Sequence, residues 1–185
     1  MIYTTIEIKA KSSKEQQEEI RKILIENNAD LFGVDNQTDT YFKVKEKGRM
    51  LKIRKGDIED FLVDYNKQDK ENPKKSEFLL QPLLKGSYDL KKITRQTYEI
   101  LAEVRKKREI YFIDNINFHI DLVENLGRFV EIEAISEKGA IQTEKLQEQC
   151  EYYKKLLEIK DEDLIGGSYI DMLIEKMESI KTNRK

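Results

Sequence analysis

In 185 residues the chain has one cysteine, one histidine, two prolines and no tryptophan. With Cys150 alone, neither a disulfide framework nor a cysteine metal knuckle can be built, which fits a reducing cytoplasm. No run of about 18 apolar residues occurs, and Met1 to Thr5 lacks a basic segment leading into an apolar one, so neither a membrane span nor a secretory leader is expected. Nor does one sign of charge dominate: 34 Lys and Arg stand against 36 Asp and Glu, a net charge of −2. Bulk electrostatics therefore predicts no nucleic-acid partner and no membrane partner, and any anion site has to be built locally. What the chain does have is charge of both signs, 38% of residues, as large a share as its apolar residues. This length predicts one domain over 1–180 with a polar tail over 181–185, as a monomer or homodimer.

Periodicity separates strands from helices. Ile2 to Lys11 alternates, with Ile6 and Ile8 on one side and Thr5, Glu7 and Lys9 on the other, which predicts a strand. Ser12 with Glu15, or Ser13 with Gln16, offers a capping box to a helix whose stripe is Ile20, Ile23, Leu24 and Ile25 and whose end lies near Asn27 and Asn28. Four strands are expected around Tyr41 to Lys45, Arg49 to Lys55, Phe61 to Lys67 and Ser76 to Leu83. A helix is expected from Asp89 to Leu101. Three strands then follow, Val104 to Ile113, Ile116 to Val123 and Arg128 to Ile135, joined at Asp114-Asn115 and Asn125-Leu126-Gly127. Thr143 to Ile159 and a Ser168-capped segment to Ile180 read as helices.

The faces opposite the apolar ones carry ions. They hold Glu7 and Lys9, Lys52 and Arg54, Lys106 and Arg108, His119 and Asp121, and Glu131 and Glu133. Taken singly, each is the wet face of a half-buried sheet. Eight strands whose apolar sides are covered by helices change that reading: a sheet closed on itself would turn the ionic faces inward. The fold class expected is α+β, a closed antiparallel eight-stranded barrel with helices outside. Interior charges need partners, and a polyanion with a metal would supply them.

Several segments, in order, resemble one family. Ile6-Glu7-Ile8-Lys9-Ala10-Lys11 is similar to the N-terminal signature of CYTH proteins, the superfamily of class IV adenylyl cyclases and thiamine or inorganic triphosphatases. The likeness continues through Gly48 to Arg54, Tyr65-Asn66-Lys67, Lys74 to Phe78, Val104 to Phe112, Phe118 to Asp121, Leu126 to Glu133 and Gly167 to Leu173. It implies a triphosphate tunnel, with Mg²⁺ or Mn²⁺ as cofactor and a nucleoside triphosphate or other triphosphate as substrate. By matching position, Lys9, Lys52, Arg54, Lys67, Lys106 and Arg108 would bind phosphate. Glu7, Asp121, Glu131 and Glu133 would hold metal, and Glu7, Lys9, Asp121 and Glu131 would form the catalytic set. Lys74 and His119 are further candidates for the site.

Two positions depart from the family pattern: Thr5 stands where the signature has its first Glu, and Lys52 replaces one arginine fork. The activity implied is adenylyl cyclase, ATP to cyclic AMP and pyrophosphate. The alternatives are a triphosphatase or a non-catalytic polyphosphate-binding module, the last favoured by Thr5 and opposed by the retained carboxylates. Tyr41 and Tyr65 are expected to pack. Arg105 and Lys107 should face away from Lys106 and Arg108.

Overall fold

The computed structural model describes residues 2–46, 48–58, 60–66, 74–83, 98–137 and 139–182. The described elements are β1 (Ile2–Lys11), α1 (Lys14–Glu26), β2 (Asp30–Phe42), β3 (Arg49–Lys55), β4 (Phe61–Asn66), β5 (Lys74–Pro82), β6 (Ile100–Ile113), β7 (Ile116–Val123), β8 (Gly127–Glu137), α2 (Thr143–Leu156), a 3₁₀ turn (Asp161–Asp163) and α3 (Tyr169–Thr182). The strands form one antiparallel ring in the order β1-β5-β4-β3-β2-β6-β7-β8, and β8 closes it by pairing with β1.

Local chemistry sets several boundaries. Ser13 caps α1: its hydroxyl accepts from the Gln16 N–H at 3.1 Å while the Ser13 N–H donates to Gln16 Oε1 at 2.6 Å. The β6–β7 and β7–β8 hairpins turn on Asp114 (φ 51°), Asn125 (φ 65°) and Gly127 (φ 109°), in the left-handed region open to Asn, Asp and Gly. At the start of α3, the Ser168 N–H and hydroxyl both donate to Asp171 Oδ2, at 3.0 and 2.6 Å.

The apolar core lies outside the barrel. Ile6, Ile8, Phe118, Ile120, Val130 and Ile132 pack against Ile20 and Leu24 of α1 and Leu146 and Cys150 of α2. Full burial of each large apolar side chain contributes about 1.5–3 kcal/mol. The Cys150 thiol donates to the Ile6 carbonyl at 3.2 Å, and burial pushes it up to about 12, so it packs as an inert group. Gln17 ties α1 to the β7–β8 hairpin. Its Nε2 donates to the carbonyls of Asp121 and Phe129, both at 3.0 Å, and its Oε1 accepts from Arg128 at 2.9 Å. A second cluster, of Tyr41, Val104, Val123, Phe129, Tyr169 and Ile170, packs the first turn of α3 onto one end of the barrel.

The largest differences from the sequence expectations are in β2 and β6. β2 runs from Asp30 to Phe42 instead of Tyr41 to Lys45, and it has no covered apolar outer face: Val34 is exposed while Asp35, Gln37 and Asp39 are buried. A search for alternation with one apolar face finds nothing there. β6 begins at Ile100, so Ile100 and Leu101 are strand, not the end of a helix. The rest of that expected helix, 89–97, and Lys67 lie outside the described residues. No described helix is long and apolar enough to cross a membrane.

Candidate functional site

Strand parity carries the ionic side chains inside. On β1, Ile6 and Ile8 face the helices, which turns Thr5, Glu7 and Lys9 inward. On β3, β6, β7 and β8 the same alternation delivers Lys52 and Arg54, Lys106 and Arg108, His119 and Asp121, and Glu131 and Glu133. All of these inward-facing residues except Asp121 line a single cavity of about 450 Å³.

The cations are held in place by carboxylates. Asp39 gathers three of them: Lys52 Nζ at 2.9 Å, Lys106 Nζ at 2.9 Å and the Arg54 guanidinium at 2.8 Å. Arg108 forms a fork on Asp121, at 2.8 and 2.6 Å, and also donates to Glu131. Lys9 bridges Glu7 at 2.7 Å and Glu131 at 3.0 Å, and its ammonium lies 4.6 Å from the centre of the Tyr169 ring. Five basic side chains (Lys9, Lys52, Arg54, Lys106, Arg108) thus stand among five carboxylates (Glu7, Asp39, Asp121, Glu131, Glu133). Without a further cation, that near-balance gives a polyanion little net attraction.

Titration behaviour follows from this crowding. Burial alone would raise Asp39, yet Arg54, Lys106 and Lys52 hold it well below the usual carboxylate range. One carboxylate does not satisfy three cations: burial, reinforced by repulsion from Arg54, Arg108 and Lys52, pushes Lys106 down to about 7. Burial opposes charge on Glu131 too, but Arg108, Lys9 and His119 keep it well below normal. Glu133 goes the other way. Burial, with Glu7 and Glu131 nearby, raises it, as expected where acidic groups converge with too few cations.

Ligand-atom positions on His119, Glu131 and Glu133 lie within 4.8 Å of one another, and His119 Nδ1 is 3.2 Å from Glu131 Oε2. These atoms could hold one hard or borderline divalent ion. Glu7 pairs in register with Glu133 on the neighbouring strand. Asp121 is placed differently from its sequence expectation: both its oxygens are engaged by Arg108, and Oδ2 also accepts from Tyr169 at 2.8 Å. Lys74 pairs in register with Glu7, and its side chain lies outside the described residues.

The cavity wall is not ionic alone: it also carries Tyr41, Tyr65, Ser168 and Tyr169, and the apolar side chains of Phe32, Phe61, Phe78, Leu80, Ile110, Phe112 and Ile135. Tyr41 and Tyr65 therefore sit in the site. Sequence reasoning missed Asp39, Gln37 and Tyr169. The alternation of Asp35, Gln37, Asp39 and Tyr41 was the available signal for the first two, whereas Tyr169 depends on how α3 docks.

The CYTH domain family model matches residues 4–169. A Methanocaldococcus jannaschii protein provisionally named an adenylate cyclase is 26% identical over 179 residues, covering 93% of this chain and 98% of that one. The PH1012 protein of Pyrococcus horikoshii OT3 superposes with a TM-score of 0.75 at 25% identity, over 90% of this chain and 98% of that one. A Hippeastrum protein, provisionally called an adenylyl cyclase and described as having a dominant triphosphatase activity, shares the fold. Its TM-score is 0.64 at 14% identity, with coverage of 94% and 96%. Barrel, inward-facing ions and family match agree: the chain belongs to the CYTH domain family.

Proposed function

We propose that the protein is a metal-dependent enzyme acting on a nucleoside triphosphate, with conversion of ATP to cyclic AMP and pyrophosphate as the leading activity. The observation that carries this reading is that one cavity is lined both by ionic groups and by apolar and aromatic side chains. A nucleoside triphosphate offers both kinds of surface, whereas inorganic triphosphate has no use for the apolar ones. The provisional name of the Methanocaldococcus relative points the same way.

In this reading Lys9, Lys52, Arg54, Lys106 and Arg108 bind phosphate oxygens, the arginines as planar forks. Asp39 and Asp121 hold those cations in position before substrate arrives, which reduces the reorganisation needed during reaction. Lys106 and Arg108 stabilise charge on the departing pyrophosphate. Glu7, Glu131, Glu133 and His119 would hold Mg²⁺ or Mn²⁺, leaving Asp121 as a positioning residue. The metal would neutralise phosphate charge and make the attacking hydroxyl more acidic. Thr5 offers a neutral oxygen where the family signature has a carboxylate, which favours a site of lower charge.

A triphosphatase uses the same ligand set, and the activity described for the Hippeastrum protein of this fold supports it as the second reading. Incubation with ATP, GTP, thiamine triphosphate and tripolyphosphate, followed by chromatography, separates the two. Cyclic AMP with pyrophosphate supports the cyclase and orthophosphate the hydrolase. Tight binding without turnover on any substrate would count against both.

Mg²⁺ or Mn²⁺ together with a triphosphate should raise the melting temperature more than either alone. At a hundredfold excess over Kd the linkage is worth about 2.7 kcal/mol, roughly 5–10 °C for a chain of this size. Equal stabilisation by sulfate without metal would contradict the metal-bridged picture.

Lys106 gives a pH test. Its folded pKa of about 7 lies below the unfolded lysine value, so between roughly pH 7 and 10 the unfolded chain binds more protons. This group's contribution to stability therefore rises with pH across that window. A bound triphosphate favours the charged ammonium, so binding at pH 8 should take up close to one proton and weaken as pH rises from 7 to 9. Calorimetry in two buffers of different ionisation enthalpy measures that uptake, and zero uptake would place Lys106 away from the phosphates.

A further inference from the structure

His119 is the chain's one histidine, and strand pairing sets it directly opposite Glu131 and diagonally from Glu133. All three line the cavity from the inward faces of neighbouring strands, so their backbones are fixed by the sheet ladder. His119 Nδ1 is 3.2 Å from Glu131 Oε2 and 3.9 Å from Glu133 Oε1. Two ligand atoms bound at right angles, each about 2.1 Å from an ion, lie about 3 Å apart. The imidazole nitrogen therefore already stands close to ligand spacing from Glu131, with Glu133 somewhat further off.

This donor set suits some divalent ions better than others. Mg²⁺ is a hard ion that takes oxygen ligands and is held by carboxylate charge. Carboxylate charge is partly spent here: Glu131 accepts from Lys9 at 3.0 Å and from Arg108, and Thr5 stands where the family signature has a glutamate. Lys9 and Arg108 repel every divalent ion alike, so the Coulomb part of binding does not separate one ion from another. The nitrogen does. Imidazole is a ligand of first-row transition ions, and at sites of mixed nitrogen and oxygen donors affinity rises from Mn²⁺ through Fe²⁺ to Co²⁺.

We infer that His119 is a specificity-determining metal ligand: its nitrogen makes the site take Mn²⁺ or a later first-row ion in preference to Mg²⁺. This rests on the proposed metal-dependent reading and decides which ion serves it.

The test uses the full chain without a histidine tag, and tripolyphosphate as the anion, because it brings no nitrogen of its own. Calorimetry gives the affinities of Mn²⁺ and Mg²⁺, each alone and with tripolyphosphate, for the wild type and for His119→Asn, which offers an amide oxygen in place of the imidazole. Pulsed EPR on bound Mn²⁺ reads nitrogen hyperfine coupling. The wild type should bind Mn²⁺ at least about tenfold more tightly than Mg²⁺ and show an imidazole nitrogen coupled to the metal, which in this chain only His119 can supply. His119→Asn should lose that coupling and bind Mn²⁺ about tenfold more weakly, with Mg²⁺ changed by less than about threefold. The wild-type EPR spectrum stands on its own if the variant does not fold. Bound Mn²⁺ without nitrogen coupling, equal affinity of the wild type for the two ions, or an equal loss of both in the variant overturns this inference and leaves the metal-dependent reading in place. Binding of neither ion, alone or with tripolyphosphate, overturns both.

Discussion

Glu131→Gln is expected to reduce turnover by about a thousandfold while the protein stays folded. Glu131 accepts from Lys9 and Arg108, touches His119, and belongs to the group whose ligand atoms converge within 4.8 Å. The amide keeps the shape and removes the charge, so it weakens the metal site and lets go of two phosphate-binding cations at once. Losing a single preorganised electrostatic contact typically costs about 10²- to 10³-fold, and this change touches more than one. Breaking a buried ion pair can cost about 3–5 kcal/mol when it strands a charge. Neither partner is stranded here: Lys9 keeps Glu7 at 2.7 Å, and Arg108 keeps both oxygens of Asp121.

Acid titration adds a second check on this variant. Glu131 is held well below its unfolded value, so its contribution to stability is full above about pH 4.5 and is lost as pH falls towards the folded value. The Gln variant should lack that part of the acid dependence in a series of melting curves. Wild-type turnover in Glu131→Gln would remove this carboxylate from the chemistry.

Alanine at Lys106 or Arg108 should cost about 10²- to 10³-fold in turnover, while alanine at Arg105 or Lys107 should change it by less than about threefold. All four are basic and adjacent in sequence, so a diffuse positive patch would make them equivalent. Parity separates them. The Lys106 and Arg108 side chains are 1% and 4% exposed, whereas that of Arg105 is 61% exposed and faces Glu103 and Glu124. Arg108→Ala also leaves Asp121 with Tyr169 as its remaining side-chain partner, so its melting temperature should fall further than that of Lys106→Ala. Steady-state kinetics on the four variants decides the matter, and four similar losses would mean that long-range attraction, not contact, organises the site.

Strands that obey an apolar-out, ionic-in rule were legible from sequence. Ile6 and Ile8 against Glu7 and Lys9, and Val130 and Ile132 against Glu131 and Glu133, declare their two faces because one of them packs on helices. The β2 strand could not be read the same way: Val34 is exposed and Asp35, Gln37 and Asp39 are buried, which inverts the usual signal. With that strand went Asp39, the residue that positions three of the cations. The occlusion of Asp121 was not legible either, because it depends on a tyrosine 48 residues further along the chain. The capping box and the hairpin turns depend on neighbours in sequence, and the residues that build them were visible there.

Ring closure has a consequence for how the chain matures. β1 hydrogen-bonds to β5 and to β8, with Lys9 opposite Glu131, so the first strand synthesised finds its second neighbour only when the last strand has left the ribosome. Until then the sheet has two open edges, and Lys9 has Glu7 of its own strand as a partner but not Glu131. Contacts this distant in sequence form slowly because a long loop must be closed before any gain is realised. A chain stopped after β7 would therefore keep most of its strands and still have no tunnel, since the wall that joins Lys9 to Glu131 is the last to be made.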